Sequence, residues 1–103
     1  MTALPLPQRR RAETFDLEWG GIDRRFAITL GYYADDALGE VFISGGKSAQ
    51  EIEAISRDSA VLLSLALQHG ASLSTIAGAI TRDGAGAPSS IVGAVVDRLS
   101  PIA

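Results

Sequence analysis

Between Glu13 and Trp19 apolar and polar residues alternate, with Phe15, Leu17 and Trp19 on one side and Thr14, Asp16 and Glu18 on the other. That period of two is the pattern of a half-buried strand. Gly20-Gly21 supplies the positive φ of a tight reversal, and Ile22-Asp23 lengthens the loop before a second run, Arg24 to Tyr33. There Phe26, Ile28, Leu30 and Tyr32 alternate against Arg25, Ala27, Thr29 and Gly31, which predicts a second strand with a strongly apolar inner face. Ala34 to Gly39 is a turn by composition, and Glu40-Val41-Phe42-Ile43-Ser44 is a third strand. Short turns between sequential strands give an antiparallel meander.

The period then changes. Gly45-Gly46-Lys47 breaks the strand, and Ser48 to His69 carries apolar residues at helical spacing until Gly70 stops it. Ser48 and Glu51 have the spacing of a capping box. Ile52, Ile55, Ser59, Leu62, Leu63 and Ala66 form the stripe expected to lie against the sheet. Ala60 to Leu67 is apolar on nearly every side, so cover is expected from later helices or from a second subunit. His69, in the last turn, suits a capping role at the negative end of the helix dipole. Ser72 can cap a second helix presenting Leu73, Ile76, Ala77 and Ile80. Asp83 to Pro88 reads as a flexible loop, and Ser89 or Ser90 caps a third helix running through Ile91, Val92, Val95, Val96 and Leu99 to Ser100-Pro101.

The predicted fold class is therefore α+β: a three-stranded antiparallel meander followed by a long central helix and two shorter helices. The 103 residues suffice for one modest core, predicted over residues 13–103, preceded by a mobile basic arm at 1–12 that holds Arg9-Arg10-Arg11. Aromatic residues make up only 6 % of the chain, against 47 % hydrophobic residues in all, so the core must be mainly aliphatic. A net charge of −3 argues against a nucleic-acid surface, which needs concentrated Lys and Arg. No run approaches the roughly twenty apolar residues of a membrane span, Met1 to Arg11 lacks the apolar centre of a secretory signal, and the expected compartment is the cytoplasm.

Candidate chemistry is sparse. The chain has no cysteine, hence no disulfide, thiolate metal site or thiol redox step, and nothing calls for a metal or cofactor. Asp35-Asp36 is an adjacent carboxylate pair, but consecutive turn residues point apart into water, which removes the coupling an acid–base pair needs. Asp16, Glu18, Glu40 and Asp83 show no spacing that marks a catalytic pair, and no catalytic residue is nominated. The turn Gly45-Gly46-Lys47-Ser48 is the candidate site. It looks like the end of a phosphate-binding loop, yet the full motif needs a glycine where Val41 stands, which rejects nucleotide hydrolysis. Free N–H groups at a helix start beside an ammonium still attract a phosphate or carboxylate. The alternative is that the two glycines only make the turn and Lys47 is solvated.

Glu40-Val41-Phe42-Ile43, then Gly46-Lys47-Ser48, the helix containing Leu62-Leu63-Ser64-Leu65-Ala66-Leu67 and the capped second helix together resemble the TSCPD domain. That domain is found at the C-terminal end of adenosylcobalamin-dependent ribonucleotide reductases and also as small free-standing proteins. One departure is plain: where the family's T-S-C-P-D motif opens the last helix, this chain has Pro88-Ser89-Ser90-Ile91-Val92-Gly93, with Ile91 at the cysteine. Without thiols the chain by itself cannot reduce ribonucleotides. The resemblance implies a non-catalytic accessory or regulatory module linked to DNA synthesis, acting through protein contacts, with a reductase subunit as the candidate partner, or by binding a nucleotide phosphate at Gly45 to Ser48. A second reading is a nucleic-acid-associated protein using the basic arm with Arg24, Arg25 and Lys47, against which the acidic balance weighs. The surplus apolar surface on Ala60 to Leu67 and on the last helix predicts a two-fold homodimer.

Overall fold

The computed structural model describes residues 11–20, 24–45 and 50–100. Three strands, β1 (Ala12–Glu18), β2 (Arg25–Tyr32) and β3 (Leu38–Gly45), pair antiparallel in the order β1-β2-β3. The helices α1 (Gln50–Gln68), α2 (Leu73–Ala79) and α3 (Ile91–Leu99) follow, so the chain is an α+β meander with three helices, as expected from the periodicities.

Register places like with like. Phe15 faces Ile28, Leu17 faces Phe26, Ile28 faces Ile43 and Leu30 faces Val41, so one side of the sheet is apolar throughout. Phe26, Ile28, Leu30, Val41 and Ile43 are buried there with Ala60 and Leu63 of α1 and Ile91, Val95 and Val96 of α3. The other side carries Thr14, Asp16 and Glu18 against Thr29, Ala27 and Arg25 and is open to solvent. Phe42 is its exposed apolar residue.

Turns follow local chemistry. The backbone N–H of Trp19 donates to Arg24 at 3.1 Å, closing the first hairpin, and Gly20 takes a φ of +85°. Between β2 and β3 the Asp35 carboxylate accepts from the Ala37 N–H at 3.1 Å, while Asp36, at a φ of +67°, turns toward Arg11. The two carboxylates thus serve different partners, as a turn requires. Helix α1 ends in a Schellman motif: Gly70, at a φ of +93°, donates to Leu67 and Ala71 donates to Ala66. His69 Nδ1 donates to the Leu65 carbonyl at 2.9 Å, the capping contact expected of it.

Two expectations need correction. Of the α1 stripe predicted to face the sheet, Ile52, Ile55, Ser59, Leu62, Leu63 and Ala66, only Leu63 is buried. Ile55 and Leu62 are 57 % and 68 % exposed, and the buried positions are Ser56, Ala60, Leu63 and Ser64. The cause is that α1 lies along the outer edge of β3, where backbone groups must be approached closely by small or hydroxylated side chains. Ser64 Oγ accepts from the Val41 N–H at 2.8 Å and donates to the Val41 carbonyl at 3.0 Å, and Gln68 Nε2 donates to the Gly39 carbonyl at 2.9 Å. Four helical residues advance about 6 Å and two strand residues about 6.6 Å, so Ser64 and Gln68 keep step with Val41 and Gly39.

The second correction concerns Asp83 to Pro88, expected as a flexible loop. Asp83 Oδ1 accepts from the N–H groups of Ala85 and Ala87, Ser89 donates to Thr81, and Arg82 bridges Pro88. The Arg82 guanidinium holds both carboxylate oxygens of Asp97 at 2.7 and 2.8 Å and also donates to the Ala77 and Gly86 carbonyls. A bidentate pair with two further carbonyl bonds fixes this connection to both α2 and α3.

Candidate functional site

The predicted anion site begins at Gly45 and continues through Gly46, Lys47 and Ser48, which lie outside the described residues, as does the proposed Ser48–Glu51 capping box. Gly45 itself closes β3 opposite Phe26 at a φ of +100°. A Cβ there would stand 2.9 Å from the Arg25 carbonyl oxygen. Backbone conformation and close approach therefore both call for glycine at this position, whatever the turn binds.

At this end of the molecule the first hairpin, the first turns of α1 and the start of α3 surround a cleft of about 170 Å³. Trp19, Phe26, Ile52 and Ile55 make it apolar, and Arg24 is its cation. Ser90 caps α3 by accepting from the Gly93 N–H at 3.1 Å, and Ile91, which the resemblance set against the cysteine of the family motif, lines the same cleft. Sequence reasoning brought neither Trp19 nor Arg24 to this place, because only the tertiary fold sets the hairpin beside the α3 cap. Arg25, grouped with Arg24 and Lys47 in the nucleic-acid reading, is paired with Glu18 at 3.1 Å across β1 and β2. The cations of that reading therefore do not form one free patch among the described residues.

At the opposite end of the sheet Arg11 lies 4.1 Å from the centre of the Tyr32 ring, and the Tyr32 hydroxyl donates to Glu13 at 3.3 Å. Burial, reinforced by the Glu13 carboxylate, holds that hydroxyl above its ordinary pKa. Arg11, counted by sequence in the basic arm, is thus engaged with the domain.

A larger apolar feature lies on the helical side. Ser59, Leu62, Leu63 and Ala66 of α1, with Ile76 and Ile80 from the α2 region and Val92 and Val96 of α3, line an open groove of about 310 Å³. Leu62 at its rim, with Ile55, Val61 and Leu65 beside it, leaves the outer face of α1 exposed in the single chain. The surplus on α3 is taken up internally, because Ile91, Val95 and Val96 are buried.

Among the described residues no group of three or more His, Cys, Asp or Glu could hold a metal ion, and no helix is long and apolar enough to cross a membrane. Fold and surface together define a small α+β domain with a capped sheet edge and an exposed apolar helix. The TSCPD domain family model matches residues 2–101, nearly the whole chain, and the chain belongs to that family. Membership relates it to the C-terminal domain of ribonucleotide reductases. No curated protein and no solved structure gives a significant match to it.

Proposed function

We propose that this chain is a non-catalytic accessory domain that contacts a ribonucleotide reductase subunit through the outer face of α1. It works in the cytoplasm, in the supply of precursors for DNA synthesis. The observation that carries this reading is the apolar face of Ile55, Val61, Leu62 and Leu65, left exposed in a member of a reductase-related family. The absence of cysteine supports it, because thiol chemistry has no residue to run on in this chain. An exposed apolar surface of this kind marks a protein contact.

Binding of a nucleotide phosphate at Gly45 to Ser48 is the finer part of the proposal, supported by the glycine-lysine sequence ahead of a helix start. Titration calorimetry of the purified chain, first with the reductase catalytic chain of the same organism and then with nucleoside di- and triphosphates, tests both parts. Heat with the reductase chain is expected. Its absence, together with no reductase chain retained in a pull-down, would remove the reading.

A further inference from the structure

The sheet has two edges and the fold treats them differently. On β3 the outward N–H and C=O of Val41 and the carbonyl of Gly39 are occupied by Ser64 and Gln68 of α1. On β1 no described residue does the same. The direction of its free groups follows from the pairing: Tyr32 N–H donates to Arg11 and Trp19 N–H donates to Arg24, so the odd residues 11 to 19 exchange bonds with β2. Ala12, Thr14, Asp16 and Glu18 therefore direct their backbone N–H and C=O away from the sheet. Seven residues of edge that no described residue covers form a template for another strand.

We infer that β1 pairs antiparallel with β1 of a second copy of this chain, about a two-fold axis at Phe15, giving a continuous six-stranded sheet. Parity requires even residues to face even residues, which limits the two-fold registers to those centred on single residues from 13 to 17. Centring on Glu13 or Asp16 sets identical carboxylates opposite each other, and centring on Leu17 sets Asp16 against Glu18 twice. Centring on Thr14 leaves Glu18 of β1 unpaired.

The Phe15 register alone pairs all seven residues with no like charges directly opposed. In it Thr14 faces Asp16, Ala12 faces Glu18 and Glu13 faces Leu17 of the second copy, and the two Phe15 rings meet at the axis. Its apolar side also gains cover, because Phe15, Leu17 and Trp19 are only half-buried in one chain. Arg98 of α3 stands 5.0 Å from the centre of the Phe15 ring and has no carboxylate partner among the described residues. The register brings Glu13 of the second copy diagonally beside Phe15 on that same face. The pairing is isologous, so it closes as a dimer.

Because the chain has no cysteine, a single introduced thiol reads the register directly. A non-hydrogen-bonded antiparallel pair brings its Cα atoms to about 4.5 Å, within disulfide range. Phe15→Cys is expected to form a covalent dimer on mild oxidation, while Ala54→Cys on α1 is not. Faster cross-linking of Thr14→Cys than of Phe15→Cys would overturn the register. In a second variant, Asp16→Pro, the lost N–H points away from β2, so intrachain pairing is retained. Light scattering should give a dimer for the wild-type chain and a monomer for Asp16→Pro with unchanged circular dichroism. A wild-type monomer at high micromolar concentration, or a folded Asp16→Pro chain that stays dimeric, would overturn the proposal. Neither result bears on the reductase contact of α1, which calorimetry reads separately.

Discussion

Ser64 is a hydroxyl in a leucine-rich helix, and its value lies in what the neighbouring strand lacks. Val41 has no strand partner on its outer side, so its N–H and C=O would be buried without bonds if Ser64 did not serve both. Ser64→Ala leaves that peptide unpaired and is expected to lower stability by about 1–3 kcal/mol, read from urea denaturation. Gly45 is constrained from another direction, by a φ of +100° and by the Arg25 carbonyl 2.9 Å from where a Cβ would sit. Gly45→Ala should cost at least about 1–2 kcal/mol in the same measurement. A calorimetric comparison of Gly45→Ala with Lys47→Ala then separates the turn's shape from its charge. Phosphate affinity that falls only with Lys47→Ala marks the ammonium as the binding group.

Among the elements, the connection from α2 to α3 shows how one ion pair organises a segment that composition alone would leave loose. Arg82 and Asp97 are each about one-third exposed, but their geometry is bidentate and Arg82 also holds two carbonyls. The hydrogen bond from Arg82 keeps the Asp97 carboxyl below its ordinary pKa, and Asp97 raises that of Arg82. A depressed carboxylate stabilises the fold at all pH values above its unfolded pKa, about 3.9, and that contribution is lost as pH falls through the folded value. The stability difference between wild type and Asp97→Asn is therefore expected to be constant near neutrality and to shrink below about pH 4. Parallel thermal melts across that range measure it, and a gap that persists at pH 2 would show that the carboxylate charge is not the cause.

For the whole molecule, the question is what its uncovered surfaces meet. The apolar face of α1 and the open edge of β1 belong to different elements, so one chain can present both at once. Leu62, at 68 % exposure, contributes little to the monomer's core. Leu62→Glu should shift folding stability by no more than about 0.5 kcal/mol while weakening binding to the reductase chain by about tenfold or more. Unchanged affinity in calorimetry would move the contact elsewhere. The proposed reductase contact draws its partner class from TSCPD membership and its place from the exposed Leu62 and Leu65.

Much of this was written into the sequence by itself. Period-two alternation fixed three strands and their inner faces, because a pleated strand shows every second side chain to the core, and Ser72 and Gly70 marked helix ends through local hydrogen bonds, while the cap of α3, left between Ser89 and Ser90, is Ser90 in the fold. Which side of α1 met the sheet was decided only by tertiary structure. Periodicity weighs leucines, whereas an edge strand selects Ser56, Ala60 and Ser64 for close approach and for its unmet backbone groups. The cleft that joins Trp19 and Arg24 to Ile91 was hidden for the same reason: residues far apart along the chain share a site only after packing, and no local pattern encodes that distance.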